Sequence, residues 1–144
     1  MSKRVVEFFI VDILIAINKI KRYSNGFRDA QSFYYDEKSF DATMRELQVI
    51  GEATKKLINS NLLPEDFRVV VDFRNLIVHE YFGIDADEIW DILKNELPSF
   101  EKEILSLFKR ADRKILTKII DANKKELRDK SLQYLKDLEK LIKD

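Results

Sequence analysis

The sequence predicts an all-α protein, a bundle of about five helices ending in a long C-terminal helix. Three observations carry this. Only three glycines and two prolines occur in 144 residues, and all five lie before Ser99. Leu, Ile, Lys and Glu, all compatible with helix, dominate what remains. Apolar residues then recur at helical rather than strand spacing along most of the chain.

The first helix is expected from about Lys3 to Tyr23. Val6, Phe9, Ile10, Ile13, Ile17 and Ile20 form its apolar face, and Ser24-Asn25-Gly26 stops it. The run from Val5 to Ile17 is too short to span a bilayer, carries Glu7 and Asp12, and is followed by no small-residue cleavage site, so it reads as a core helix. A polar and aromatic connection with Phe33, Tyr34 and Tyr35 leads to a second helix from about Glu37 to Ile58. Met44, Leu47, Ile50, Ala53, Leu57 and Ile58 form its buried face. Gly51 lies inside it at a cost of about 1 kcal/mol relative to alanine. Such a cost points to close approach of another backbone, within the bundle or, as the alternative, at a dimer seam.

Asn61 to Pro64 makes the next turn, and Pro64 suits the first turn of a third helix. This helix carries Phe67, Val70, Val71, Phe73, Leu76 and Ile77 and ends near Gly83. Asp85 caps a fourth helix that runs through Ile89, Trp90, Leu93, Leu97, Phe100, Ile104, Leu105 and Phe108, with Pro98 expected to kink or divide it. After about Asp112, one long helix follows. Ile115, Leu116, Ile119 and Ile120 open it, and Leu127, Ser131, Tyr134, Leu138 and Leu141 continue at four-three-four-three spacing, suited to bundle packing or a short seam with a partner. Two regions are expected: 1–110 as the main helical domain and 111–144 as an extension packed on the bundle or on a partner.

At this length the chain fits one domain that buries roughly two thirds of its unfolded surface. It has no cysteine, which excludes disulfides and thiolate zinc sites and suits a reducing cytoplasm. Net charge is zero but unevenly spread. From Lys109 onward there are twelve Lys and Arg against seven Asp and Glu, leaving fourteen against nineteen elsewhere. A basic tail on an acidic body can steer a polyanion or dock on an acidic partner, although solvated helix faces look similar.

The single histidine falls in Arg74-Asn75-Leu76-Ile77-Val78-His79-Glu80-Tyr81. Arginine holds phosphate through a bidentate fork, and histidine exchanges protons near neutral pH. Together they are a minimum set for cutting a phosphodiester without a metal. On a regular helix, Arg74 and Tyr81 project from nearly the same face, Asn75 and His79 share another, and Arg74 and His79 stand about 140° apart. A compact site therefore needs help from elsewhere, such as a second copy related by a two-fold axis. A lone histidine without a second at helical spacing makes a poor transition-metal site, and no glycine loop for phosphates is present.

Asp12-Ile13-Leu14, Ile50-Gly51-Glu52-Ala53, and above all Phe73 to Asp85 followed by Ile89-Trp90 and Leu97-Pro98 resemble the HepT toxins of HepT–MntA toxin–antitoxin systems, within the HEPN class of helical ribonucleases. The resemblance covers roughly residues 5–108. Phe67 stands near the place where the family commonly has tryptophan, and the helix after Lys109 has no counterpart. The resemblance implies a HEPN-type bundle acting as a homodimer, a metal-independent endoribonuclease toxin of a type VII-like pair, cytoplasmic and without a cofactor. It further implies catalysis by Arg74, Asn75 and His79, with the R-x-x-x-x-H motifs of both copies facing one cleft. Tyr81 is the expected AMP acceptor or substrate contact, and the partners are RNA and a minimal MntA-like nucleotidyltransferase antitoxin. The competing reading is an inactive helical dimer that serves as an RNA-binding or nucleotidyltransferase-binding scaffold.

Overall fold

A computed structural model describes residues 5–79 and 85–143, without the side chains of Leu76, Val78 and His79. Among these residues the chain is all-α, with eight α-helices and no strand. They are α1 (Glu7–Ser24), α2 (Ala30–Tyr34), α3 (Glu37–Asn59), α4 (Arg68–His79), α5 (Ala86–Asp91), α6 (Leu97–Arg110), α7 (Arg113–Lys124) and α8 (Asp129–Leu141).

Helix α1 is the centre of the structure. Ile10, Val11, Ile13, Leu14, Ile15, Ala16, Ile17 and Ile20 are all buried, so the helix is covered nearly all round over its middle turns, not on one face alone. Helices α3, α6, α7 and α8 pack around it, and α3 in turn carries α4. The stop follows the Ser-Asn-Gly signal: α1 ends at Ser24, and Gly26 adopts φ +91°, the left-handed region that glycine enters without steric cost. Among the described residues no helix is long and apolar enough to cross a membrane.

The structure departs from the sequence expectation in the aromatic connection and in the C-terminal helix, and it divides the segment at Pro98 as expected. The aromatic connection contains a short helix, α2. Asp29 caps it by accepting from the Ser32 amide at 2.8 Å, which turns Phe33 inward against Phe27, Phe40 and Trp90.

The segment Asp85 to Arg110 begins as expected, Asp85 accepting from the Asp87 amide at 2.8 Å. Pro98 then divides it in a specific way. Its nitrogen has no hydrogen for the carbonyl of Lys94, and its ring would crowd that carbonyl in an α-helix. The backbone widens to a π turn over Ile92–Glu96, in which the Leu97 amide donates to the Ile92 carbonyl, before α6 begins.

The expected long C-terminal helix is two helices. Asp112 caps α7 through the amides of Lys114 and Ile115, and α7 ends at Lys124. The chain turns at 125–128 and re-enters helix at Asp129 with φ +52°. The reversal lets Leu116, Ile119 and Ile120 of α7 and Leu135 and Leu138 of α8 reach the core together, with both helices against α1. Arg22 fastens α8 to α1, its guanidinium donating to Ser131 Oγ at 2.7 Å, and Lys124 joins α7 to α8 through Glu139 at 2.8 Å.

Among the described residues one acid is buried. Glu46 on α3 is 9% exposed, and burial pushes its carboxyl above its ordinary value of 4.5, against the opposing fields of Lys19, Arg45 and Arg22. Asp12 and Tyr23 of α1 and Arg128 beyond α7 line the same cleft. A folded-state value above the unfolded one favours the native state while the carboxyl is protonated, and that contribution is lost as pH rises through the folded value. Glu46→Gln is therefore expected to raise the melting temperature at pH 7 by about a few degrees. The gain should fade below about pH 4.5, the ordinary value of this carboxyl, where both side chains are neutral. Thermal melts of both proteins across that range check it; a variant less stable at pH 7 overturns it.

Candidate functional site

The site is built where α3 and α4 touch. Helix α4 enters from a 3₁₀ turn at Glu65–Phe67 that follows Pro64, so the proline precedes the helix instead of sitting in its first turn. Val71 and Ile77 are buried and Phe73 half-buried, which fixes the rotation of α4 on the bundle. That rotation brings Arg74 against α3.

The reason α3 carries glycine at position 51 is then plain. A Cβ there would lie 2.1 Å from Arg74 Cβ and 2.5 Å from its Cγ. The approach is within one chain, between α3 and the first carbons of the arginine side chain. Beyond that contact the guanidinium is held on two sides. Nη2 meets Glu52 Oε1 at 2.6 Å, and Nη1 donates to Asn75 Oδ1 at 2.9 Å. Nε–H is buried and meets no acceptor among the described residues. The Arg74 side chain is 27% exposed, and Glu52 opposite it is 47% exposed, so the pair sits at the surface with one edge accessible.

Of the residues singled out in the sequence, the structure brings Arg74 and Asn75 into contact. His79 is the last residue of the same unbroken helix. Five residues of α-helix separate it from Arg74 by about 7.5 Å of rise and about 140° of rotation. Its side chain lies outside the described residues, as do Glu80 and Tyr81 in full. Glu52 is the residue that the sequence reading left without a role. Its pairing with Arg74 links positions 22 apart on different helices, which no local pattern encodes, but the adjacent Gly51 marked the place. Among the described residues, no group of three or more His, Asp or Glu side chains is placed to hold a metal ion.

Comparison with known proteins gives one family. A profile described as ribonuclease HepT-like matches residues 13–107, from α1 to near the end of α6. Two Methanocaldococcus jannaschii proteins, each named "Putative RNase", are similar to the chain. One is 36% identical over 118 residues, covering 76% of this chain and 92% of that protein, and the other 34% identical over 107 residues, covering 72% and 97%. A Thermococcus cleftensis protein named "Probable ribonuclease HepT" is 33% identical over 112 residues, covering 74% and 99%. No solved structure gives a significant match.

Proposed function

The chain belongs to the HepT-like ribonuclease family, and from that premise we propose that it is a metal-independent endoribonuclease toxin of the cytoplasm whose working residues are Arg74, Asn75 and His79. The observation that carries this reading is the fixing of Arg74. A glycine contact, an ion pair with Glu52 and a hydrogen bond from its guanidinium to Asn75 hold it on the helix that ends in the only histidine of the chain. A guanidinium fixed before substrate arrives loses little freedom on binding phosphate.

The chemistry follows from these groups. The ribose 2′-oxygen attacks the adjacent phosphorus, and a base removes its proton. The bond from phosphorus to the 5′-oxygen breaks, and an acid protonates that leaving oxygen. The products are a 2′,3′-cyclic phosphate and a 5′-hydroxyl. Arg74 stabilises the negative charge that builds on the phosphoryl oxygens, and Asn75 orients Arg74 through the hydrogen bond already described. One imidazole cannot be base and acid in the same instant, so the reading includes a homodimer that brings two copies of His79 to one RNA strand. Residues 1–110 carry the activity and 111–144 form an extension of the domain.

Silencing fits the same site. Transfer of AMP to the Tyr81 phenol by a minimal MntA-like nucleotidyltransferase antitoxin would place a phosphodiester anion seven positions along the sequence from Arg74, where it competes with RNA phosphate for the cation.

The test is RNA cleavage by purified protein in excess EDTA, after its mass has been checked for an AMP adduct on Tyr81. Cleavage leaving 2′,3′-cyclic phosphate ends is the expected result. Unmodified protein that leaves RNA intact overturns the assignment.

A further inference from the structure

A second site lies away from the motif. A cleft of about 570 Å³ opens between α1, α3 and the turn that joins α7 to α8, a size common for small-molecule sites. Its walls combine cations, two acids (Asp12 and Glu46), an amide and an aromatic ring. Lys19, Arg45 and Arg128 supply three cations, none in a salt bridge among the described residues; Arg45 and Arg128 are exposed and Lys19 is half-buried. Glu46 is the buried member, and it makes no hydrogen bond or ion pair among the described residues. Beside it, buried Asn123 donates its amide to the Ile119 carbonyl at 2.9 Å, which leaves its Oδ1 as an acceptor. Tyr23 adds a half-buried aromatic ring.

Burial of the Glu46 carboxylate without a hydrogen-bond donor is costly, and the nearby cations Lys19 and Arg45 offset that cost only in part. A ligand that suits both must bring hydrogen-bond donors to the interior and negative charge to the mouth. A guanine base presents two adjacent N–H donors to a carboxylate, whereas the corresponding edge of adenine presents one donor and one acceptor. The phosphate of a nucleotide supplies the charge, and an aromatic ring offers a face for stacking. We propose that this cleft binds a guanine nucleotide, with the base on Glu46 and the phosphate on Lys19, Arg45 and Arg128. Asn123, Leu127 and Arg128 lie beyond residues 13–107, which match the family profile, so the extension closes a cleft whose other wall belongs to the shared helices. The extension thereby gains a role that packing on α1 alone does not give it.

Titration calorimetry on the full chain with GMP, AMP and inorganic phosphate tests this without reading RNA cleavage. GMP is expected to bind once per chain, with AMP weaker by about tenfold or more, the loss of one good base-edge pairing. Glu46→Gln should bring GMP down to the level of AMP while the protein still melts cooperatively. Arg128→Ala, an exposed change, should weaken both nucleotides alike. Binding should survive Arg74→Ala and His79→Ala, which separates this cleft from the proposed catalytic site. No heat with any nucleotide overturns the proposal, as does phosphate that binds as tightly as GMP, or GMP binding lost on Arg74→Ala and kept by Glu46→Gln.

Discussion

His79→Ala is expected to slow RNA cleavage in excess EDTA by about 10²- to 10⁴-fold, the range that general acid–base help supplies. Arg74→Ala is expected to cost about 10²- to 10³-fold, as for loss of one donor to a developing oxyanion. The two should be far from additive, since either loss alone disables a single step in which proton transfer and charge build-up occur together. Arg74→Lys sharpens the test. Lysine keeps the charge but not the planar fork, and it cannot face Glu52 and Asn75 together as the guanidinium does. It should recover little of the lost rate. The measurement is initial rate on one labelled RNA with all proteins at matched concentration and confirmed fold. His79→Ala cutting at the wild-type rate would sink the assignment.

How far the sequence could be read depends on whether its signals were local. Helix α1, α3 and the start of α5 stand close to where periodicity and capping placed them, because Ser24-Asn25-Gly26 and Asp85 are local stop and start signals. The break between α7 and α8 was not legible. No glycine or proline marks it, and Asp129 takes a left-handed φ that its sequence neighbours do not announce. Of the stripe expected to pack on the bundle or on a partner, Leu127, Ser131, Tyr134 and Leu138 do pack on the bundle, but the turn at 125–128 changes which residues complete it. Leu135 is fully buried, while Leu141 is 47% exposed. Helix α2 was hidden in an aromatic run whose cap, Asp29, lies three residues before Ser32. At the site, Arg74 and Asn75 were readable as chemistry, but their arrangement needed the fold. Tertiary contact alone pairs Arg74 with Glu52, and a charge at position 52 looks like any other charge on a helix surface.

Gly51→Ala should lower both stability and cleavage, and the joint loss is informative because helix propensity alone predicts the opposite sign. Alanine in place of glycine inside α3 favours the helix by about 1 kcal/mol. Against that stands the new Cβ, 2.1 Å from Arg74 Cβ, where carbon atoms need about 3.5–4.0 Å. The atoms it meets are the first two carbons of the side chain, tied to the α4 backbone, so no rotation of the guanidinium relieves the overlap. Relief requires α4 to move away from α3 by more than about 1 Å, a strain of a kind that costs about 1–3 kcal/mol or more in packed interiors. The clash therefore outweighs the propensity gain. A shift of that size also draws Arg74 from Glu52, and misplacing a catalytic group by about 1 Å can cost about 10²-fold in rate. Urea unfolding and EDTA-resistant cleavage on the same preparation measure the two effects. Glu52→Gln serves as the comparison, because it weakens the ion pair without pushing the helices apart, and its loss of rate should be smaller than that of Gly51→Ala. A Gly51→Ala protein more stable than wild type and fully active would mean that α3 and α4 do not approach this closely, and the fixed arginine on which the catalytic reading rests would go with them.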